Sequence, residues 1–170
     1  MCFDRRMTGD ASGSFEELVG ELDYPMLIVT AAAGDERAGC LVGFATQSSI
    51  SPPRFIVCLS EQNRTYRVAT RAGHLGVHFL AADQDGLAAL FGGETGDEID
   101  KFDAVEWEAG PGGAPLLRDC RNRFVGRILE RRPTGDHVSF LLEPVFAEHR
   151  EPVRPFPFRR AKRIEPGHEA

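Results

Sequence analysis

The stretch that decides the fold is residues 122–150, which read NRFVGRILERRPTGDHVSFLLEPVFAEHR. Two apolar segments rich in β-branched and aromatic residues flank Pro133-Thr134-Gly135, a tripeptide typical of a turn. Such a short connection joins antiparallel strands, because parallel strands need a crossover of a dozen or more residues. We therefore predict a β-hairpin in which Asp136 and His137 lie at the start of the second strand.

Four further apolar segments upstream predict strands of the same kind. They are PMLIVTAAA (25–33), GCLVGFATQ (39–47), RFIVCLS (54–60) and HLGVHFLAA (74–82). The segments between them are too short for the long crossover helices of parallel βαβ units. We therefore predict a single domain of mainly β structure, an antiparallel barrel with short helices.

Three short helices are indicated by residues whose side chains cap free backbone N–H groups. The predicted helices cover about 14–22, 64–71 and 84–91, with Ser14, Asn63 and Asp83 as their N-caps. The Gly-rich, acidic segment 92–115 predicts a long excursion with little regular structure.

The two ends of the chain differ in composition from its middle. Residues 1–13 predict a flexible tail, residues 14–150 the folded domain, and the Pro- and Arg-rich residues 151–170 a second tail on the surface. The N-terminal residues lack the apolar stretch of a signal peptide, and no apolar run approaches the roughly 20 residues of a membrane-spanning helix. We expect a cytoplasmic protein that has no membrane segment.

Charge and cysteine content exclude two classes of protein. A formal net charge of −6 makes nucleic acid an unfavourable partner. The four cysteines form no CxxC pair, and a disulfide framework would require an oxidising compartment. Cys40 and Cys58 lie in predicted strands, where we expect buried thiols.

The common catalytic motifs are missing from the sequence. It contains no P-loop, no GxGxxG dinucleotide loop and no GxSxG nucleophile elbow. His74 and His78 are four residues apart on a predicted strand, which separates them by about 13 Å, too far for one metal ion. An enzyme without such groups takes its chemistry from a cofactor.

Four segments, taken in order, point to the class of cofactor. They are GCLVGFATQSSISPP (39–53), SEQNRTYRVA (60–69), DKF (100–102) and GDHVSFLLEPV (135–145). Together they resemble the flavin reductase-like family over about residues 20–150. The resemblance implies the antiparallel split β-barrel that binds FMN.

The resemblance also implies which residues hold the flavin. The first segment would lie along the isoalloxazine ring, and the second would hold the phosphate at a helix N-terminus. Leu41 to Phe44 replace the hydroxyl-bearing run of many members, so backbone groups alone would hold the ring edge. The implied cofactor-binding residues are Gly43, Phe44, Ala45, Thr46, Gln47, Ser48, Ser49, Asn63, Arg64, Thr65, Lys101 and Phe102.

The Gly-Asp-His turn carries the implied catalytic residues. The family brings this histidine to the open face of the flavin, so His137 would donate a hydrogen bond or stabilise developing negative charge. Asp136 would fix the tautomer of the imidazole or shape the turn.

The implied function is an NAD(P)H:flavin reductase that passes hydride from nicotinamide to FMN, with FAD as the second choice of flavin. The family implies a homodimer, and the reduced flavin would either serve a partner monooxygenase or reduce a bound substrate directly. Two alternatives stay open: a split-barrel relative that uses deazaflavin or haem, and a non-catalytic flavin-binding dimer. A weaker hypothesis takes RPFPFRRAKR (154–163) as a patch for an anionic partner; we favour a solvated tail that covers the dimer.

Overall fold

The predicted hairpin forms the longest pair of strands in the computed structural model, which describes residues 11–165. The strands are β1 (Leu27–Ala33), β2 (Glu36–Val42), β3 (Ala45–Ser49), β4 (Arg54–Ser60), β5 (His74–Phe79), β6 (Trp107–Ala109), β7 (Pro115–Leu117), β8 (Asn122–Pro133) and β9 (His137–His149). The α-helices are α1 (Ala11–Gly20), α2 (Arg64–Ala69), α3 (Asp85–Gly93) and α4 (Phe158–Ala161), with 3₁₀ turns at Lys101–Ala104 and Pro111–Gly113.

Seven strands form one antiparallel sheet in the order β2-β1-β5-β8-β9-β4-β3. The two edge strands, β2 and β3, are consecutive in the chain, and only Gly43 and Phe44 connect them. Two linking residues span roughly 10 Å, so the two edges of the sheet must lie beside each other. The sheet therefore curls into a barrel that is split between β2 and β3, as predicted.

The continuous apolar sequence of β1 follows from burial on both faces. Leu27, Val29 and Ala31 point into the barrel, where the main core cluster lies. Ile28 points outward and packs in a second cluster with Phe91 of α3. A strand covered on both faces loses the polar alternation of a half-exposed strand.

The excursion over residues 92–115 is more regular than the sequence predicts. Its last part forms the β6–β7 hairpin, which two buried side chains attach to the barrel. The Thr30 hydroxyl donates to the carbonyl of Pro115 at 2.6 Å, and His78 Nε2 accepts the backbone N–H of Leu117 at 3.0 Å. His78 is thus a structural residue, and no group of metal-ligating side chains occurs among residues 11–165.

Several predicted boundaries are wrong. Residues 11–13 are already helical, so Ser14 lies inside α1 and does not cap it. The predicted strand 39–47 divides at Gly43 and Phe44 between two strands. Helix α3 has Gln84 at its N-cap position in place of Asp83. Asn63 does cap α2, through its side-chain oxygen, as predicted.

The segment after residue 150 is packed onto the barrel, in contrast to the predicted surface tail. The backbone N–H of Met26 donates to the carbonyl of Phe156 at 2.8 Å, and Phe156 is only 1 % exposed. The proline content suggested a tail, but Phe156 adds enough apolar surface to the second core cluster to hold the segment in place. Predictions for residues 1–10 and 166–170 lie outside the described residues.

Candidate functional site

Three cavities lie next to one another and share lining residues, and we call them together the groove. The first, which we call the apolar pocket, has a volume of about 170 Å³ and is lined by Tyr24, Met26, Cys40, Leu41, Val42, Gly43, Phe44, Cys58, Leu59, Ser60, Asn63, His137 and Phe158. The narrow passage, about 40 Å³, is lined by Cys40, Leu41, Gln62, Asn63, Arg64, Phe91, Gly92, Glu94, Thr95, Gly96 and Lys101. The charged pocket, about 280 Å³, follows at Arg64, Gly96 and Lys101.

The apolar pocket forms where the split in the barrel meets the start of β9. The register of β4 against β9 places His137 opposite Ser60. The Phe44 ring, which is 56 % exposed, lies 5.2 Å from the imidazole of His137, centroid to centroid. An aromatic face and an imidazole therefore share one wall of the pocket.

Asp136 orients the imidazole of His137. Nδ1 of His137 lies 2.7 Å from Oδ1 of Asp136, which fits an N–H donated to the carboxylate. This hydrogen bond, together with the charge of the imidazole, lowers the pKa of Asp136. With Nδ1 occupied in this way, Nε2 is the nitrogen that remains to act on a bound molecule.

The opposite wall of the apolar pocket contains two residues that sequence reasoning missed. The rings of Tyr24 and Phe158 are stacked, with centroids 4.4 Å apart and planes inclined by 14°. A Cβ at Gly43 would lie 2.7 Å from Cε2 of Tyr24, so only glycine allows this close approach. The signal available in the sequence was the aromatic content of a segment otherwise rich in Pro and Arg.

Two cations line the narrow passage. Arg64 follows the N-cap of α2, and its side chain is 33 % exposed. Lys101 is buried and donates to the carbonyls of Phe91 at 3.1 Å and Gly39 at 3.3 Å. Burial lowers the pKa of Lys101, and electrostatic interactions with Cys40 and Glu94 oppose that shift.

Thr65 and Phe102 are less accessible to a bound flavin than the resemblance implies. Thr65 is 1 % exposed, with its hydroxyl beside the thiol of Cys40, and its backbone N–H donates to Oδ1 of Asn63 at 2.8 Å. Phe102 packs edge to face against Phe91 and Trp107 in the second core cluster, and it borders the charged pocket only.

The structure does not bring the β3 residues into the groove. None of Ala45, Thr46, Gln47, Ser48 and Ser49 lines the three cavities. The side chains of Thr46, Gln47 and Ser48 are exposed on an edge strand, and Ala45 packs against the barrel core. Their cofactor-binding role stays a prediction.

A larger cavity, of about 620 Å³, opens at the mouth of the barrel. Its lining is mainly apolar and includes Phe55, Phe79 and Phe124. Of the predicted site residues it contains only Gln47. We place the candidate site in the groove in spite of its smaller volume, because the groove combines an oriented imidazole with cations.

The fold and the groove together define a split barrel with an elongated site on its outer surface. A family model, the flavin reductase like domain, matches residues 19–163, and the chain belongs to this family. The match continues through the segment predicted as a C-terminal tail. Within residues 11–165, the helices are too short or too polar to cross a membrane.

Named relatives agree with this assignment. The FMN reductase (NADH) RutF of Methylorubrum extorquens is 30 % identical over 126 residues, which cover 74 % of this chain and 61 % of that protein. The RutF of Klebsiella pneumoniae is 30 % identical over 140 residues, 82 % of this chain and 85 % of that protein. The structure of the NADH:FAD oxidoreductase SgcE6 of Streptomyces globisporus superposes with a TM-score of 0.76 at 26 % identity, over 84 % of this chain and 85 % of that one.

Proposed function

We propose that this chain is an NAD(P)H:flavin oxidoreductase that binds FMN along the groove. The observation that carries the proposal is that adjacent cavities with shared lining residues place the oriented imidazole of His137 at one end and the cations Arg64 and Lys101 at the other. A ligand with a flat ring at one end and a phosphate at the other has the matching distribution of chemistry. Bound flavin would supply the redox chemistry, accepting hydride from nicotinamide.

The residues present fit such a ligand. The aromatic and aliphatic lining of the apolar pocket suits a planar ring system. Strand β2 is an edge strand that pairs only with β1, so alternate backbone groups of Cys40 to Val42 face the split. These groups support the prediction that the backbone holds the ring edge. Arg64 and Lys101 would face the phosphate.

His137 would stabilise the negative charge that develops on the flavin ring during reduction. Asp136 accepts a hydrogen bond from Nδ1–H and so leaves Nε2 as the nitrogen that can contact the ring. A hydrogen bond from imidazolium Nε2 would stabilise negative charge that develops on a nearby carbonyl. Phe44 would cover part of the ring and limit access of water.

We further propose that the chain acts as a cytoplasmic homodimer and delivers reduced flavin to a separate monooxygenase. The support for a dimer is an apolar stripe formed by Phe15 and Leu18 of α1 and by Leu22 just after the helix, which are 62 %, 67 % and 54 % exposed. None of the α1 residues is buried within the described part of the chain. A second copy of this chain would cover the stripe.

The proposed activity is tested by measuring flavin-dependent oxidation of the nicotinamide. NADH and NADPH oxidation should be measured with added FMN, in the presence and absence of the purified protein. We expect flavin-dependent oxidation of at least one nicotinamide, well above the rate without protein. A protein that binds FMN but gives no increase over that background would contradict the proposal and favour a non-catalytic flavin-binding protein.

A further inference from the structure

The charged pocket lies directly beyond the cations that would face the flavin phosphate. It shares Arg64, Gly96 and Lys101 with the narrow passage. A group that extends past the first phosphate of a flavin bound in this way would enter this pocket. Relatives named for FMN and for FAD share the fold, so the fold alone does not decide between the two flavins.

The arginines in and around the charged pocket lie close to carboxylates. Arg64 lies between two carboxylates, 3.9 Å from Glu36 and 3.7 Å from Asp97. These carboxylates have closer partners of their own: Arg71 binds Glu36, and Arg67 contacts both oxygens of Asp97 at 2.6 Å. Arg64 would face the first phosphate, and a second phosphate would have to displace a carboxylate to reach Arg67 or Arg71.

The third cation of the pocket, Arg37, also lies near a carboxylate, while its buried Nε has no hydrogen-bond partner among the described residues. Arg37 lies 3.8 Å from Asp100, and its guanidinium stacks over the ring of Trp107, 4.8 Å from the centroid. The pocket also contains Asp35 and Glu98, which form no ion pair among the described residues. A second phosphate would therefore meet two carboxylates that no cation neutralises.

We infer that the groove selects FMN over FAD, with Asp35 and Glu98 as specificity-determining residues. This inference rests on the proposed function and adds the class of flavin to it. FMN ends at the single phosphate that Arg64 and Lys101 would face. FAD continues with a second phosphate and an adenosine, which would bring the second phosphate close to these two exposed carboxylates of like charge.

The experiment compares the dissociation constants of riboflavin, FMN and FAD by quenching of flavin fluorescence. For the wild-type protein we expect FMN to bind at least about tenfold more tightly than either riboflavin or FAD. In the double variant Asp35→Asn/Glu98→Gln, FAD affinity should rise at least about threefold while FMN affinity stays within about twofold. Glu130→Gln, which loses an exposed carboxylate paired with Arg132 on the hairpin, is the matched control and should change neither constant.

The possible results distinguish a failure of the FMN selectivity from a failure of the proposed flavin site. FAD that binds the wild-type protein as tightly as FMN overturns the selectivity and leaves the flavin site in place. An equal gain for FMN and FAD in the double variant also overturns it, because the two carboxylates would then act on the first phosphate. Failure of all three flavins to bind would reject the proposed function together with the inference.

Discussion

At the scale of single residues, His137 is the side chain on which the proposed chemistry depends. We predict that His137→Ala lowers the rate of flavin reduction by NADH at least about tenfold, because the charge developing at the ring loses its hydrogen-bond donor. FMN affinity should change by less than about threefold, since the anchoring cations are untouched. Stopped-flow reduction and an FMN titration measure the two effects.

The matched control for this prediction is His149→Ala. His149 is exposed at the barrel mouth, outside the groove, so its removal should leave both quantities unchanged. Wild-type reduction rates in His137→Ala would show that the imidazole only shapes the turn.

The buried imidazole of His78 should make the free energy of unfolding depend on pH. Burial lowers its pKa to about 4, and Nδ1 lies 3.0 Å from the carbonyl of Ile28. The unfolded chain binds the proton more readily, so the stability contributed by neutral His78 is present above pH 6.5 and is lost as the pH falls towards 4. We expect the free energy of unfolding to fall by a few kcal/mol over that window in urea titrations, and to fall less in His78→Gln. An identical pH dependence in both proteins would contradict this.

At the scale of elements, the C-terminal segment is predicted to matter for flavin binding. Phe158 begins α4, stacks on Tyr24 and forms a wall of the apolar pocket. Phe158→Ala should weaken FMN binding about tenfold or more, because the ring would lose a large apolar contact. Isothermal titration measures the affinity. Arg163→Ala, a change at an exposed position of the same segment, is the control. Equal FMN affinities for the two variants would contradict the claim that Phe158 contacts the flavin.

Elements were predictable where the local pattern and the tertiary contacts agree. Strands β4, β8 and β9 follow apolar runs bounded by turn residues, and the sequence predicts them within a residue or two. The break between β2 and β3 was not predictable, because Gly43 and Phe44 are as apolar as their neighbours. The break arises only because the chain passes there from one edge of the sheet to the other.

At the scale of the whole molecule, the exposed stripe on α1 predicts self-association. We expect the mass of a dimer in light scattering after gel filtration. Leu18→Glu should weaken the dimer by at least about tenfold, because burial of one leucine contributes about 1.5–3 kcal/mol. Glu16→Gln, on the same helix but outside the stripe, should leave the mass unchanged. A monomeric wild-type protein, or a Leu18→Glu dimer of unaltered affinity, would contradict the prediction.

The site as a whole was predictable in part. Phe44, Asn63 and His137 are far apart in the chain, and the structure brings them to one pocket, as the four quoted segments imply. Tyr24 and Phe158 were missed because their contact depends on how the last segment returns to the barrel. The run Thr46 to Ser49 was included because its hydroxyl and amide groups suit a flavin, but none of these residues lines the groove, and their role stays a prediction.

The most direct test of the account is an anaerobic titration that compares the groove with the cavity at the barrel mouth. Wild type, Arg64→Glu and Ala147→Trp would each be incubated with FMN, desalted, and treated with NADH while the visible flavin band is recorded. We predict that wild type and Ala147→Trp retain FMN that NADH bleaches, whereas Arg64→Glu loses the cation that faces the phosphate and retains much less. Full retention by Arg64→Glu together with loss in Ala147→Trp would place the flavin in the barrel mouth and contradict the account.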